Sequence, residues 1–292
     1  MKPPPFDYLA PTSLEEALAA LEAHGDEAKV LAGGQSLMPL LNFRLARPRW
    51  LVDLNRIASL AYIRERDGGV AIGAMTRQRA LERSPLVRER CPLLAEAMPL
   101  IGHVQIRNRG TLGGSLAHAD PAAELPAVVT ALGAELVVRG PAGQRVLSPE
   151  EFFVGYLTVA LGPAELLEEV RLPPWSPRTG CAFLEVSRRH GDFALVGVAA
   201  VLALDADGVC THAALALTGV GGVPVSGDEA ARRLVGDRPS SAAFEAVARD
   251  LAGSLEPDSD LHASAEYRRW VAEALTRRAL ARALERARTE SA

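Results

Sequence analysis

The sequence predicts an α+β protein of two domains, and three observations support this prediction. The chain has 292 residues, more than one average domain. Hydrophobic residues make up 48% and charged residues 23% of it, which is typical of globular proteins. Short strand-like segments alternate with helical segments, and three prolines at 173–177 interrupt this order. Because prolines remove ladder donors, we place the boundary between a domain at 1–175 and a domain at 176–292 there.

Composition and charge exclude several classes of protein. The formal net charge is −4, whereas a nucleic-acid binder normally has a basic domain. No apolar run approaches the roughly 20 residues that a membrane-spanning helix needs, and the N-terminus lacks the apolar core of a secretory signal. We therefore expect a cytoplasmic protein. Cys91, Cys181 and Cys210 are scattered without a Cys-x-x-Cys pair, which predicts buried thiols and no metal site.

Residues 1–57 are predicted to form a first α+β subdomain. Ser13 and Glu16 have the spacing of a capping box, which predicts that a helix begins at Leu14. Leucines then recur at helical spacing until Gly25, which ends the helix. The predicted elements are a strand at 6–9, a helix at 14–24, a buried strand at 29–31, a helical turn within 37–45 and a strand at 50–54.

Residues 58–175 are predicted to form a second subdomain of the same domain. A helix is expected to enter after Pro92, and a glycine-rich loop follows it at 106–115. The Gly140–Gly143 segment separates two strand-like runs and predicts a hairpin. The predicted elements are strands at 70–74, 135–138, 144–147 and 166–172, and helices at 76–83, 93–101 and 125–132.

Residues 176–292 are predicted to form a smaller α+β domain, with a three-stranded sheet backed by helices. The strands are expected at 181–186, 195–204 and 212–218, and the helices at 241–251 and 265–286. Seven arginines lie between 268 and 288 on the last helix. Such a helix is usually a core element with a solvated face. A partner-facing role is the alternative, since arginine is enriched at interfaces.

Two glycine pairs, each followed by a serine, are the candidate ligand-binding segments. Glycine permits close approach of a ligand to the main chain, and consecutive N–H groups can form an anion site without lysine. A single glycine pair is usually a plain turn, but two such pairs suggest two backbone cradles on one diphosphate ligand. The candidate residues are Ala32, Gly33, Gly34, Gln35, Ser36 and Leu37 in the first segment, and Thr111, Gly113, Gly114 and Ser115 in the second.

The charged residues around the second segment have alternative interpretations. Arg107 and Arg109 either balance diphosphate charge or are solvated residues at a turn. Asp120 and Glu124 fit a sugar hydroxyl better than a phosphate, because an ionised carboxylate only accepts hydrogen bonds. Alternatively, Asp120 caps the helix after Pro121 and Glu124 faces water. His118, without a nearby nucleophile, fits a structural role better than acid–base catalysis.

Together with Ser187–Phe193, these segments resemble the FAD-binding subunits of molybdenum hydroxylases. The resemblance is strongest to the medium subunit of aerobic carbon monoxide dehydrogenase and weaker to the flavin domain of xanthine dehydrogenase. It covers nearly the whole chain, and the second segment with Ala119-Asp120-Pro121 and Glu124 is its specific part. It implies a two-subdomain FAD-binding fold like that of vanillyl-alcohol oxidase, with the C-terminal domain closing over the flavin.

The resemblance also implies how FAD is bound. Glu124 stands where the family has an acidic residue on the cofactor's sugar chain, while Asp192 and Phe193 stand against the isoalloxazine ring. Ala119 and Asp120 belong to the same motif. Relatives often carry a lysine near Phe183, and Leu184 and Glu185 depart from that. Gln35 replaces the histidine of covalently flavinylated relatives, so non-covalent FAD is expected.

The predicted function is electron transfer within a complex. The resemblance implies a [2Fe-2S] small subunit and a molybdopterin large subunit as partners, in a heterotrimer or its dimer. Electrons would pass from the iron–sulfur partner through FAD to an external acceptor. No catalytic acid–base pair is evident in the sequence. The alternatives are a stand-alone FAD-dependent reductase on the same fold, which would need a dedicated acid, and a nucleotide-sensing scaffold.

Overall fold

Within residues 2–289, which the computed structural model describes, the strands form four β-sheets. One is a parallel sheet near the N-terminus, one is a five-stranded antiparallel sheet, one is a C-terminal antiparallel sheet, and one is a two-stranded ribbon. The α+β prediction is confirmed. Each of the three larger sheets lies within one predicted unit, and the exact limits of those units stay a prediction.

The first subdomain is a three-stranded parallel sheet with one long helix. Ser13 accepts a hydrogen bond from the Glu16 N–H, as predicted, but the Glu16 carboxylate binds the Thr12 N–H at 2.7 Å instead of closing the box on Ser13. The strand predicted as buried at 29–31 is half-exposed, because it is an edge strand. The elements are β1 (Asp7–Leu9), α1 (Leu14–His24), β2 (Ala28–Leu31), α2 (Leu37–Asn42) and β3 (Trp50–Asp53), in sheet order β1-β3-β2.

The second subdomain surrounds an antiparallel sheet with short helices. Its elements are β4 (Ile63–Arg66), β5 (Gly69–Gly73), α3 (Gln78–Arg83), α4 (Pro85–Arg90), α5 (Pro92–Ala97), α6 (Val104–Arg109), α7 (Leu112–His118), α8 (Glu124–Ala131), β6 (Glu135–Gly140), β7 (Gly143–Leu147), α9 (Pro149–Phe152), β8 (Phe153–Gly155), β9 (Thr158–Val159) and β10 (Leu166–Leu172). The sheet order is β4-β5-β10-β6-β7.

The prediction of a loop at 106–115 is wrong, because α6 and α7 occupy most of this segment. Thr111 caps α7 by accepting a hydrogen bond from the Gly114 N–H, which compensates the poor helix propensity of the glycine pair. Gly113 lies so close to Ala74 that an added Cβ would be 2.9 Å from its carbonyl oxygen. The glycine pair therefore serves close packing of a helix rather than a loop.

The C-terminal domain is an antiparallel sheet with helices on one face. The sheet has four strands rather than the predicted three, because a two-residue strand pairs with the third. Its elements are β11 (Thr179–Ser187), β12 (Ala194–Leu204), β13 (Cys210–Thr218), β14 (Val225–Ser226), α10 (Asp228–Ala231), α11 (Ser241–Ser254) and α12 (Ala265–Thr289). Short 3-10 helices lie at Gly25–Glu27, Leu54–Arg56, Ala58–Leu60, Met98–Leu100 and Arg232–Leu234.

The two faces of the C-terminal sheet belong to different hydrophobic cores. Ala182 packs with α11 and α12, whereas its neighbours Cys181 and Phe183 pack into the core of the second subdomain. Successive side chains of a strand point to opposite faces of the sheet, so β11 contributes residues to both cores. Arg286 of α12 joins the two parts by bonding the Glu96 carboxylate and the Cys181 carbonyl. The C-terminal domain is thereby held against the second subdomain by side-chain contacts.

Three features of residues 2–289 concern membranes, disulfides and metals. No helix within 2–289 is long and apolar enough to cross a membrane. Cys91, Cys181 and Cys210 are all buried without a disulfide. No group of three or more metal-ligating side chains comes together in this part of the chain.

Candidate functional site

The first glycine segment connects β2 to α2 and presents main-chain donors. Gly34 has φ of +76°, a conformation that favours glycine. Among the hydrogen bonds of residues 2–289, none uses the N–H of Gly33, Gly34, Gln35 or Ser36. Four consecutive donors without an acceptor in the chain can bind an anion. This segment therefore offers the donors that a backbone cradle needs, and its role in binding a ligand stays a prediction.

The second glycine segment has its donors occupied. The Gly113 N–H bonds the Ala74 carbonyl at 2.8 Å, the Gly114 N–H bonds the Thr111 hydroxyl at 3.0 Å, and the Ser115 N–H bonds the Thr111 carbonyl at 3.2 Å. The prediction of a second backbone cradle is therefore wrong. A ligand could still contact the surface of this segment and the half-buried Ser115 hydroxyl.

The two segments lie in direct contact, although 70 or more residues separate them in the sequence. A Cβ added at Gly33 would meet the Arg109 carbonyl and would be 2.8 Å from the Gly110 Cα. A Cβ added at Gly114 would be 3.2 Å from the Ala32 Cβ. Glycine at both positions lets the two main chains touch. The structure thus brings the predicted residues 32–37 and 111–115 together.

A polar network fixes this contact, and sequence reasoning missed it. The Asn55 side chain donates to the Ala32 carbonyl at 2.9 Å. Arg77 donates both to the Asn55 amide oxygen and to the Arg109 carbonyl. Burial lowers the pKa of Arg77, and the neighbouring Arg109 charge lowers it further. Because Asn55 and Arg77 are distant in sequence from the segments they join, no local pattern marks them.

Arg107 has a structural role, so both predicted alternatives, binding of diphosphate and a solvated position at a turn, are wrong for this residue. Its side chain is 7% exposed. It binds both carboxylate oxygens of Glu82, at 2.9 and 3.2 Å, and donates to the Ile101 and Gly102 carbonyls. All of its charge is compensated inside the second subdomain. Arg109 remains exposed beside the first glycine segment and can supply positive charge there.

The turn after α7 carries the predicted acidic residues. Ala119 has φ of +50° and ends α7, and Asp120 then accepts a hydrogen bond from the Ala122 N–H at 2.9 Å. Asp120 therefore stabilises the turn and does not cap α8, whose N-cap is Ala123. Burial lowers the pKa of His118 and so favours its neutral form.

Glu124, the first residue of α8, is buried with 3% exposure, so the alternative that it faces water is wrong. Burial raises the pKa of its carboxyl to about 7.

The Ser187–Phe193 segment lies at the far end of α6 from the glycine segments. Gly191 packs on Gly102 and His103, just before α6, while the end of α6 touches Gly33. Six helical residues span about 9 Å. Asp192 is exposed, and Phe193 is 57% exposed. The arrangement fits a ligand with an anionic diphosphate at one end of α6 and a flat ring at the other.

Comparisons with known families agree with this geometry. The family described as "FAD binding domain in molybdopterin dehydrogenase" matches residues 4–175. The chain belongs to this family. A second family, described as "CO dehydrogenase flavoprotein C-terminal domain", matches residues 181–283. The predicted resemblance to FAD-binding subunits of molybdenum hydroxylases is confirmed.

Relatives match this FAD subunit over almost its entire length. The 6-hydroxypseudooxynicotine dehydrogenase complex subunit alpha of Paenarthrobacter nicotinovorans is 46% identical, covering 99% of this chain and 97% of the relative. The carbon monoxide dehydrogenase medium chain of Hydrogenophaga pseudoflava is 40% identical, covering 96% of this chain and 97% of the relative.

Solved structures show the same fold. Carbon monoxide dehydrogenase from Hydrogenophaga pseudoflava contains a chain of TM-score 0.95 and 40% identity, with 98% of this chain and 99% of that chain covered. Quinoline 2-oxidoreductase from Pseudomonas putida 86 contains one of TM-score 0.92 and 38% identity, with 98% and 99% covered. This FAD subunit is an oxidoreductase subunit, and its cofactor is FAD. The electron-transfer subunit is thus favoured over the stand-alone reductase.

Proposed function

We propose that this FAD subunit binds the FAD diphosphate on the free N–H groups of its first glycine segment and passes electrons from an iron–sulfur partner to an external acceptor. The four free donors at 33–36 are the observation that supports this proposal most directly. When bound, FAD supplies the redox chemistry, and the chain supplies binding and orientation. The proposed FAD-binding residues are Ala32, Gly33, Gly34, Gln35, Ser36, Leu37, Thr111, Gly113, Gly114, Ser115, Ala119, Asp120, Glu124, Asp192 and Phe193.

Each group in this set has a distinct task. The main-chain donors at 33–36 bind the diphosphate, and Arg109 adds positive charge beside them. The second glycine segment fixes the position of the first by contact. Glu124 lies at the sugar chain. Phe193 presents an exposed aromatic face, which suits stacking on a flat ring.

We further propose that the FAD is held without a covalent bond. Gln35 is the polar side chain at the centre of the first segment, and it bonds the Gly33 carbonyl at 3.2 Å. An amide is not nucleophilic, so it forms no bond to the flavin. Acid precipitation of the loaded protein should leave all the FAD in the supernatant. FAD that stays with the precipitated chain would contradict this proposal.

The proposed partners are a [2Fe-2S] small subunit and a molybdopterin large subunit, in a heterotrimer or its dimer. The relatives are named as subunits or chains of larger enzymes, which supports an assembly. On α12, Trp270 is 66% exposed and Tyr267 is 40% exposed, with Arg277 and Arg278 beside them in one groove. Aromatic residues and arginine are enriched at interfaces. We place this face in the interface, which should bury about 1,200 Å² or more in total.

The proposed function is tested by expressing this chain alone and together with iron–sulfur and molybdopterin subunits. Substrate-dependent dye reduction is expected only from the assembled complex, while the single chain should still bind FAD. Dye reduction by the purified single chain would support the stand-alone reductase instead. A single chain that binds no FAD, in an assembly that does, would place part of the cofactor site on a partner.

A further inference from the structure

Three successive peptide units of the first glycine segment have a bonded carbonyl, and within residues 2–289 the N–H of each has no acceptor. In a peptide unit the C=O and N–H groups lie in one plane and point in opposite directions. A hydrogen bond that holds the carbonyl therefore also fixes where the N–H points. The carbonyls and their donors are Ala32 with the Asn55 amide at 2.9 Å, Gly33 with the Gln35 amide at 3.2 Å, and Gly34 with the Met38 N–H at 3.1 Å.

These bonds matter because a peptide unit next to glycine can turn over. Glycine adopts φ of either sign at little cost. Gly33 has no positive φ in this structure, but a turned Ala32–Gly33 peptide would still be allowed there. Such a turn would point the Ala32 carbonyl, instead of the Gly33 N–H, at a bound anion. A carbonyl oxygen only accepts hydrogen bonds, so it cannot bind a phosphate oxygen. The orientation of this peptide therefore decides how well the segment binds an anion.

Asn55 is the donor among these three that lies outside the segment and α2. It stands in the turn after β3, 23 residues from Ala32. Arg77 donates to the Asn55 amide oxygen, and a guanidinium has no acceptor. The Asn55 amide NH₂ group and main-chain N–H both donate to the Asp53 carboxylate, the main-chain N–H at 2.9 Å. A donor on one side and an acceptor on the other therefore turn the NH₂ group toward the Ala32 carbonyl.

Asp53 is an acceptor at neutral pH. Burial acts to raise the pKa of Asp53, but hydrogen bonds from Tyr8 and Asn55 outweigh it, so the pKa lies below the usual value of aspartate. Tyr8 donates to the second carboxylate oxygen at 2.5 Å. An ionised carboxylate has no proton to donate to Asn55. The orientation of the Asn55 amide is thus fixed from both sides.

Arg77 also connects this arrangement to the end of α6. It donates to the Arg109 carbonyl, which is the atom that a Cβ added at Gly33 would meet. One guanidinium therefore holds both the Asn55 side chain and the main chain against which Gly33 packs. The side chain that fixes the Ala32–Gly33 peptide is positioned together with the surface behind that peptide.

We propose that Asn55 is a positioning residue for FAD, because its hold on the Ala32 carbonyl keeps the Gly33 N–H turned toward the diphosphate. Arg77 and Asp53 act through Asn55 by fixing which end of its amide faces Ala32. Without the Asn55 amide, the Ala32–Gly33 peptide turns over and the diphosphate loses one donor. This inference rests on the proposed function for the place of the diphosphate, and only on the chain for the orientation of the peptide.

The first test is the Kd for FAD of Asn55→Ala, measured on the full chain by flavin fluorescence, with Tm measured on the FAD-free protein. Loss of one hydrogen bond to a charged group should make the Kd about 10-fold or more weaker. Asn42→Ala is the matched control, because Asn42 is also half-buried and lies at the end of α2. It should leave the Kd unchanged. A folded Asn55→Ala variant with the wild-type Kd would overturn the proposal.

The second test observes the Gly33 N–H itself by NMR. The sequence contains three Ala–Gly pairs, at 32–33, 142–143 and 252–253. Labelling alanine carbonyls with ¹³C and glycine nitrogens with ¹⁵N therefore selects the amide signals of Gly33, Gly143 and Gly253. In wild type saturated with FAD, the Gly33 proton should move downfield, as a donor to an anion does, while the other two signals stay in place.

This signal separates positioning from stability. In Asn55→Ala saturated with FAD, the Gly33 proton should lack the downfield shift or give two signals. A variant that is only less stable would bind FAD more weakly but give the wild-type Gly33 signal once saturated. That result would overturn the proposal.

A crystal structure of the FAD-loaded wild-type chain gives a test that needs no variant. The proposal requires the Ala32 carbonyl on the Asn55 amide and the Gly33 N–H on the diphosphate. A diphosphate bound at 33–36 with the Ala32 carbonyl released from Asn55 would overturn the proposal alone. A diphosphate bound away from 33–36 would instead reject the proposed function of this segment.

Discussion

Replacing Gly33 by Ala should weaken FAD binding by moving the first glycine segment away from the second. Gly33 has no positive φ, so alanine causes no backbone strain there. The added Cβ would instead meet the Arg109 carbonyl and lie 2.8 Å from the Gly110 Cα, and both are main-chain atoms. Main chain cannot rotate away as a flexible side chain can. The segment carrying the free donors must therefore shift.

The cost has two parts, stability and affinity. Overpacking of a tight contact costs about 1–3 kcal/mol, which corresponds to a fall in Tm of about 2–12 °C. A shift that removes one N–H from the diphosphate loses a hydrogen bond to a charged group, worth about 1.5–3 kcal/mol. That loss makes the Kd for FAD about 10- to 150-fold weaker. The affinity loss should exceed what the lower stability alone explains.

The assay is FAD titration followed by flavin fluorescence, with Tm measured on the FAD-free protein. Gly253→Ala is the matched control, because a Cβ at this position of α11 meets no atom within 4 Å. It should leave the Kd unchanged and should raise stability by up to about 1 kcal/mol, since alanine is the better helix former. Gly33→Ala with the Kd and Tm of wild type would refute the argument that the two segments depend on this contact.

Three further predictions concern other parts of the chain. Gly180→Ala should lower the free energy of unfolding, measured in urea, by about 2 kcal/mol or more. The reason is that a Cβ at this position would meet the Ala283 carbonyl and lie 2.5 Å from the Ala287 nitrogen. A loss below about 0.5 kcal/mol would contradict the close packing of α12. Arg107→Met should cost about 3 kcal/mol of stability but leave the Kd for FAD unchanged in the folded fraction. A selective loss of FAD binding would instead show that Arg107 binds the diphosphate. Phe193→Ala should shift the flavin absorption spectrum or reduction potential without lowering Tm, because the ring is 57% exposed; an unchanged spectrum and potential would remove it from the site.

Periodicity and capping chemistry were enough to predict most elements. The helix at 14–24, the hairpin around residues 140–143 and the three long C-terminal strands follow the sequence patterns closely. The helix α4 was missed, although Ser84 followed by Pro85 is a start signal, and Ser84 does accept a hydrogen bond from the Val87 N–H. The missed signal was present in the chain.

The second glycine segment shows why the remaining part could not be predicted. Glycine pairs are far commoner in turns than in helices, so a local rule predicts a loop at Gly113 and Gly114. The helix forms because Thr111 caps it and because its first turn lies against Ala74, in the turn that follows β5. Tertiary contact overrides propensity here. Arg107 was ambiguous for the same reason, since its partner Glu82 is 25 residues away.

Close main-chain contacts occur both between the two subdomains and within the C-terminal domain. Gly33 lies on Arg109 and Gly110 between the two subdomains, and Gly180 lies on α12 within the C-terminal domain. Such contacts permit few relative positions, because main-chain atoms cannot be repacked as side chains can. The free donors at 33–36 and the exposed Phe193 are therefore held at a distance that α6 sets. An FAD that reaches from the donors at 33–36 to Phe193 should stabilise the two subdomains and the C-terminal domain together. We therefore expect the FAD-loaded protein to unfold in one transition and the FAD-free chain to unfold in more than one. Calorimetry of the two forms checks this, and separate transitions in the loaded protein would show that the cofactor does not join the units.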